Sequence, residues 1–305
     1  MRRRPYTRRV TRADDSRGLA LAGAAYTMWG VFPLYFHLLD RSGSLEIVAH
    51  RIVWTLAFCL VGVTVRRSWT AVRAVIGDAR LFGTLLGAGV LVSLNWLIYV
   101  YAIISGHVVD ASLGYFMNPL VTVALARVVL HETVRPAQAV ALAGGLLAVV
   151  VIAIGAGGVP WIGLGLALTF GLYSLAKNRV GRTAPPLAGL GVEAMALTLP
   201  SLALLGWLAA THRGTFGTIG PGYTLLLAAT GVVTAVPLLF FAAGAARLSL
   251  TSLGLVQYLT PVVQFALGVV VFHEHMSPVR WIGFALVWAA LLVLTWDLAR
   301  RRLRH

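Results

Sequence analysis

Glu46, His50 and Arg51 stand together near the start of an apolar stretch. At a spacing of four, Glu46 and His50 share one helical face. Such a trio can cap a helix and close an ion pair. It can equally carry protons on Glu46 and His50, histidine being the side chain that changes charge near neutral pH, while Arg51 neutralises an anionic group of a substrate. Glu193 is a lone carboxylate inside another apolar stretch, where burial disfavours its charged form, and it is a further proton-relay candidate. Asn95 and Trp96 with Tyr99, Tyr115 with Asn118, and Gln257 with Tyr258 set amides and aromatic rings in mid-segment. That composition suits the lining of a wet crevice that orients a small molecule; it also suits interhelical hydrogen bonds. Pro119 and Pro261 interrupt their segments, and an interior proline removes a backbone bond and bends a helix, so both are candidate hinges.

Other chemistries fail on spacing. The pairs His131-Glu132 and His273-Glu274 lack the His-Glu-x-x-His pattern that puts two metal ligands on one helical face. No nucleophile triad, P-loop or dinucleotide fingerprint is present. Neither a metal nor a cofactor is expected, and the chain does not read as an enzyme.

The elements that position these residues follow from composition. Hydrophobic residues make up 59% and charged residues 11% of the chain, far from the quarter that is charged in a soluble domain. A spanning helix needs about 20 mostly apolar residues. Ten such segments lie near 18–39, 45–65, 81–105, 111–130, 137–156, 161–177, 187–209, 223–246, 251–272 and 280–297. Continuous runs such as Leu142–Ile154 exclude the alternating pattern of a membrane β-barrel. The expected fold is an all-α polytopic membrane protein. The Arg-rich residues 1–17 resemble the start of a signal peptide, but the run that follows is long and has no convincing small-x-small cleavage site, so it is expected to stay as the first span. Cys59 is the single cysteine and permits no internal disulfide. Trp29 and Tyr173, in the first span of each half, are candidate aromatic walls, and Gly83 with Gly87 is a weak small-xxx-small dimer motif, so a homodimer is one expected partner.

The chain repeats itself. Pro119, His131-Glu132 and Pro136 recur as Pro261, His273-Glu274 and Pro278, with Val121, Ala124, Val128 and Val129 matched by Val263, Ala266, Val270 and Val271. The offset is 261 − 119 = 142 residues. With five segments in each half, 18–156 and 161–297, the second half must run upside down relative to the first. Inverted repeats hold a substrate between them near the midplane.

The net charge of +15 follows the same scheme. Of 25 Lys and Arg, only Arg41, Arg213 and Arg280 fall in loops on one side, and Arg51 lies inside a span. The rest share the opposite side with the basic tails 1–17 and 298–305. Basic loops stay cytoplasmic, so both termini are expected inside; the charge points to anionic lipid and not to nucleic acid.

At these residues the chain resembles the RarD-type permeases of the EamA group, in the drug/metabolite transporter superfamily. The resemblance rests on Glu46-x3-His50-Arg51 with Trp54, on Asn95-Trp96, on Ser112-Leu113-Gly114-Tyr115-Phe116-x-Asn118-Pro119-Leu120, and on Gly231–Leu238. It continues through Leu253-Gly254-Leu255-x-Gln257-Tyr258, Pro261 and Glu274, and covers nearly all of residues 18–298. It implies ten helices as two inverted five-helix EamA repeats, with spans five and ten peripheral to a central pathway. Members are commonly labelled chloramphenicol-sensitivity proteins. The expectation is an inner-membrane secondary transporter that moves a small metabolite or drug-like compound outward by alternating access. Its rivals are a membrane-embedded lipid-modifying enzyme and a non-transporting subunit or sensor.

Overall fold

The structure, a computed structural model, describes residues 12–130, 136–155, 158–180, 184–245 and 256–302. His131-Glu132, Ser252-Leu253-Gly254 and residues 1–11 and 303–305 lie outside them. Every regular element among the described residues is helical. In chain order they are α1 Arg12–Gly30, α2 Phe32–His37, α3 Ser44–Val65, α4 Trp69–Gly77, α5 Ala79–Ile104, α6 Val108–Leu130 and α7 Pro136–Gly155. The second half holds α8 Trp161–Val180, α9 Pro186–Met195, α10 Thr198–Ala210, α11 Pro221–Ala245, α12 Leu259–Ala266 with a π turn Leu267–Val271, and α13 Pro278–Arg302.

The boundaries have local causes. Prolines open α7, α9, α11 and α13, where the missing N–H is one that no helix bond uses. Asp78 caps α5 by accepting from the Arg80 and Leu81 amides at 3.0 Å each. Pro200 cannot donate to the carbonyl of Ala196, and α9 and α10 meet at that break with a bend of 51°. Pro261 likewise leaves the Gln257 carbonyl without its helical donor, and the chain turns at Gln257 and Tyr258 before α12 begins. Pro119, by contrast, sits inside a continuous α6.

Among the described residues four helices are long and apolar enough to cross a bilayer: Ser16–His37, Ser44–Val65, Ala79–Ile104 and Pro221–Phe241. The bent pair α9–α10 makes up to five, and Ala139–Gly155, Trp161–Lys177, Leu259–Val271 and Pro278–Val293 are shorter apolar helices. The molecule is thus an all-helical, multi-pass membrane protein.

Packing between the halves is reciprocal. The first span (α1) packs on α11 and α12, and its counterpart in the second half, α8, packs on α5 and α6; α3 packs on α11 as α9 does on α5. Outside these, α7 and α13 pack on each other and on α6, around a cluster that includes Phe116, Ile152, Phe284 and Val287. The larger cluster, with Phe36, Trp96, Tyr99, Leu166 and Tyr173, lies between the remaining helices and carries the polar residues.

Candidate substrate site between the two halves

Near its start α3 is solid with buried polar groups: Glu46, His50 and Arg51 are all under a tenth exposed. They do not act as one cluster. The Glu46 carboxylate turns to the loop between α10 and α11, accepting from the Thr215 amide at 2.7 Å and the Thr215 hydroxyl at 3.0 Å. Ser42 bonds the same hydroxyl and that of Tyr223. The His50 ring stacks on Phe216 of this loop, centroids 4.7 Å apart, and neither ring nitrogen has a hydrogen-bond partner among the described residues. The loop is therefore strapped across the end of α3 by one carboxylate and one stacked ring.

Arg51 points the other way, into the large cluster. Its Nε donates to the Thr234 hydroxyl of α11 at 2.7 Å, and its guanidinium carbon lies 4.1 Å from the centre of the Trp96 ring, with Phe36 and Phe32 at 5.3 and 5.8 Å. The hydroxyls of Tyr35, Tyr99 and Tyr115 are near enough to interact with its charge. A desolvated cation on an aromatic face gains about 2 kcal/mol, which offsets only part of the several kcal/mol that burying an ion costs. Among the described residues no carboxylate pairs with Arg51, and its Nη1 has no acceptor. A buried guanidinium with unspent donors suits the planar fork of a carboxylate.

The walls around it are partly those the sequence marked. Trp96 and Tyr99 are buried. Tyr99 packs on Tyr115 (5.8 Å), Tyr115 on Phe170 (6.4 Å) and Phe170 on Tyr173 (5.9 Å), a run of rings from the first half to the second. Asn118 is buried one turn along from Tyr115, its Oδ1 without a partner among the described residues. Asn95 is spent elsewhere: its Nδ2 donates to the Leu166 carbonyl at 3.0 Å and the Thr169 hydroxyl at 2.9 Å, fastening α5 to α8. Gln257 and Tyr258 are half-buried at the turn before α12, with Tyr258 packed on the peripheral cluster.

The amide at the centre is Gln264, which sequence reading passed over. Its Nε2 donates to the Trp29 carbonyl (3.0 Å) and the Tyr99 hydroxyl (3.1 Å), and its Oε1 is buried without a partner among the described residues. The signal was the same that marked Asn95, an amide in an apolar run; Gln264 sits in a stretch otherwise read as a copy of the motif around Pro119.

Glu193 is not alone. Lys177 Nζ lies 2.5 Å from its Oε1 and the Tyr173 hydroxyl donates to its Oε2 at 3.1 Å. Lys177, the last residue of the segment expected over 161–177, is within α8. Glu274 reaches from the loop after the π turn to the start of α6, accepting from the Val108 and Val109 amides at 2.5 and 3.0 Å. It caps a different helix from the one it follows, and burial pushes its carboxyl up against the downward pull of those two bonds. Asp110 and Arg280 join the starts of α6 and α13 at 3.3 Å. No group of three or more His, Cys, Asp or Glu able to hold a metal occurs among the described residues.

Helices packed reciprocally about a buried cation that lacks a carboxylate partner among the described residues suit a membrane transporter. The model of the EamA-like transporter family matches residues 16–154 and again 157–296. The chain belongs to that family, as a RarD-type permease. It is 47% identical over 287 residues to Protein RarD of Streptomyces exfoliatus, covering 94% of this chain and 90% of the relative. It is 39% identical to an uncharacterized transporter of Vibrio cholerae (93% of each) and 35% identical to Protein RarD of Escherichia coli (92% and 94%). A solved crystal structure aligns with a TM-score of 0.63 at 20% identity, over 94% of this chain and 99% of its own, a likeness of fold alone.

Proposed function

We propose that the protein is a secondary transporter of the bacterial cytoplasmic membrane that moves a small carboxylate-bearing, partly aromatic metabolite outward by alternating access. The observation that carries this reading is Arg51, buried, lying over the Trp96 ring and without a carboxylate partner among the described residues. An uncompensated charge at that depth is expensive, and a substrate anion supplies the missing half.

The reading takes the chain as ten spans in two inverted five-helix repeats, 18–156 and 161–297, with the basic tails 1–17 and 298–305 cytoplasmic. The reciprocal packing of the halves, the doubled family match and the one-sided placement of Lys and Arg support it. In that topology the loop across His50 faces outward, and its strap through Glu46 is the outer gate. Trp96, Tyr99, Tyr115 and Asn118 line the path, with Gln264 in the role first sought at Gln257. Pro119 inside α6 and the break before Pro261 are the points at which the two central helices bend. Energy comes from an ion or exchange gradient.

The test compares metabolites inside and outside cells overproducing the wild-type protein and Arg51→Gln. Carboxylates displaced outward by the wild-type protein, and not by the variant, support the proposal; their flux is then followed in proteoliposomes. Displacement of neutral or cationic solutes alone, unchanged in Arg51→Gln, would overturn it.

A further inference from the structure

Residues 51 and 193 are separated by the repeat offset of 142, and so are residues 35 and 177. Each half thus sets one aromatic or basic side chain on its first span opposite one charged side chain on its second. In the first half these are Tyr35, whose hydroxyl is spent on the Leu226 carbonyl, and Arg51. In the second half they are Lys177 and Glu193. Both charged positions lie seven residues inside their helices, about 10 Å along the axis at 1.5 Å per residue. The run of rings Tyr99, Tyr115, Phe170 and Tyr173 connects the neighbourhood of Arg51 to the Tyr173 hydroxyl on Glu193.

We propose that Lys177 is a second anion station of the same pathway and that Glu193 occupies it as a built-in stand-in for the substrate carboxylate. The inference rests on the anion reading given above. Arg51 waits for a carboxylate, whereas Lys177 already holds one belonging to the protein. For a substrate to take its place Glu193 must leave Lys177, and a carboxylate 2% exposed cannot be left charged and unpaired. It therefore accepts one proton as the substrate anion binds. The site then holds one cation and one anion before and after, and the neutral acid keeps a hydrogen bond to Tyr173. Lys177, 33% exposed, is the accessible partner.

The groups that interact with the Glu193 carboxyl are Lys177 and Tyr173 from α8 and the Cys59 thiol from α3. From α5 the nearest contact is Gly89, against the Glu193 backbone, and α4, α10 and α11 add no charged group to it among the described residues.

The test uses the full-length protein in nanodiscs and benzoate as the probe, reading the rise in Tm from mildly acidic to mildly alkaline pH, always above the ionisation of benzoate itself. Apparent affinity should fall by up to about tenfold per pH unit, the slope of one linked proton, toward the level that Arg51 alone sustains. In Glu193→Gln it should be at the acid level throughout, with the slope gone; Lys177→Gln should leave weaker, pH-independent binding, and Lys177→Arg should restore the slope if Lys177→Gln fails to fold. Arg51→Gln should weaken binding while keeping the slope. A wild-type slope in Glu193→Gln overturns the inference and leaves the anion reading intact. Absence of any benzoate effect on the wild-type protein at every pH overturns both.

Discussion

Gly89 on α5 and Gly231 on α11 are repeat equivalents, and each lies against the backbone of the second span of the opposite half: Gly89 on the Glu193 carbonyl, Gly231 on that of Trp54. The helices that carry the two charges, α3 and α9, are thus each held by a partner's bare backbone. A Cβ at either place would collide with main chain, which cannot rotate aside.

Gly89→Ala and Gly231→Ala should therefore each cost about 1–3 kcal/mol, the usual penalty of overpacking. Thermal unfolding in detergent should show both variants lowered by similar amounts. Gly83→Ala, with open space at its Cβ position, should be unchanged and serves as the control.

Arg51 sets function against stability. Arg51→Met removes an unpaired buried charge, so its thermal stability should equal or exceed that of the wild-type protein by ~1 kcal/mol, while carboxylate flux in proteoliposomes falls at least about a hundredfold, two hydrogen bonds' worth of a charged pair. Arg51→Lys should fall between the two in flux, because an ammonium keeps the charge but loses the broad guanidinium face over Trp96 and the fork for a carboxylate.

Asn95 should behave in the opposite sense. Its amide is committed to Leu166 and Thr169, so Asn95→Ala should lose about 1 kcal/mol of stability, the worth of an interhelical hydrogen bond. Flux per folded molecule should stay within about twofold, a change below the scale of any lost contact to a charged group.

Glu46→Gln should loosen the loop strapped over His50. It takes away the charge on which both Thr215 donors converge, worth about 1.5 kcal/mol or more. Thiol labelling of Phe216→Cys in a Cys59→Ala background should then run about tenfold faster with Glu46→Gln than without it.

How far the residues alone lead can be judged from particular cases. The helices were legible because a bilayer demands unbroken apolar runs of fixed length: α3, expected over 45–65, is Ser44–Val65, and α5, expected over 81–105, is Ala79–Ile104. The 51° bend between α9 and α10 was not, although Pro200 marks its place, since a proline's effect depends on what the freed carbonyl meets. Arg51 was legible as costly because any charge in a span is costly. Its separation from Glu46, five residues away, was hidden: those five residues are about 1.4 turns of helix, which sends the carboxylate to Thr215 and the guanidinium to Trp96. Glu193 looked solitary because Lys177 stands on a different apolar segment; two helices had to pack before the pair existed. Gln257 and Gln264 were equivalent as amides in one apolar segment, and only the break before Pro261 turned the second toward Tyr99.

The sequence by itself determined that this chain lives in a membrane, that it is a doubled unit, and which side chains are too polar to lie idle there, because hydration cost is a property of each residue and its run of neighbours. Tertiary structure alone decided which of those polar groups are satisfied and which still have donors to give. Partnership depends on distances between helices that the order of residues does not fix.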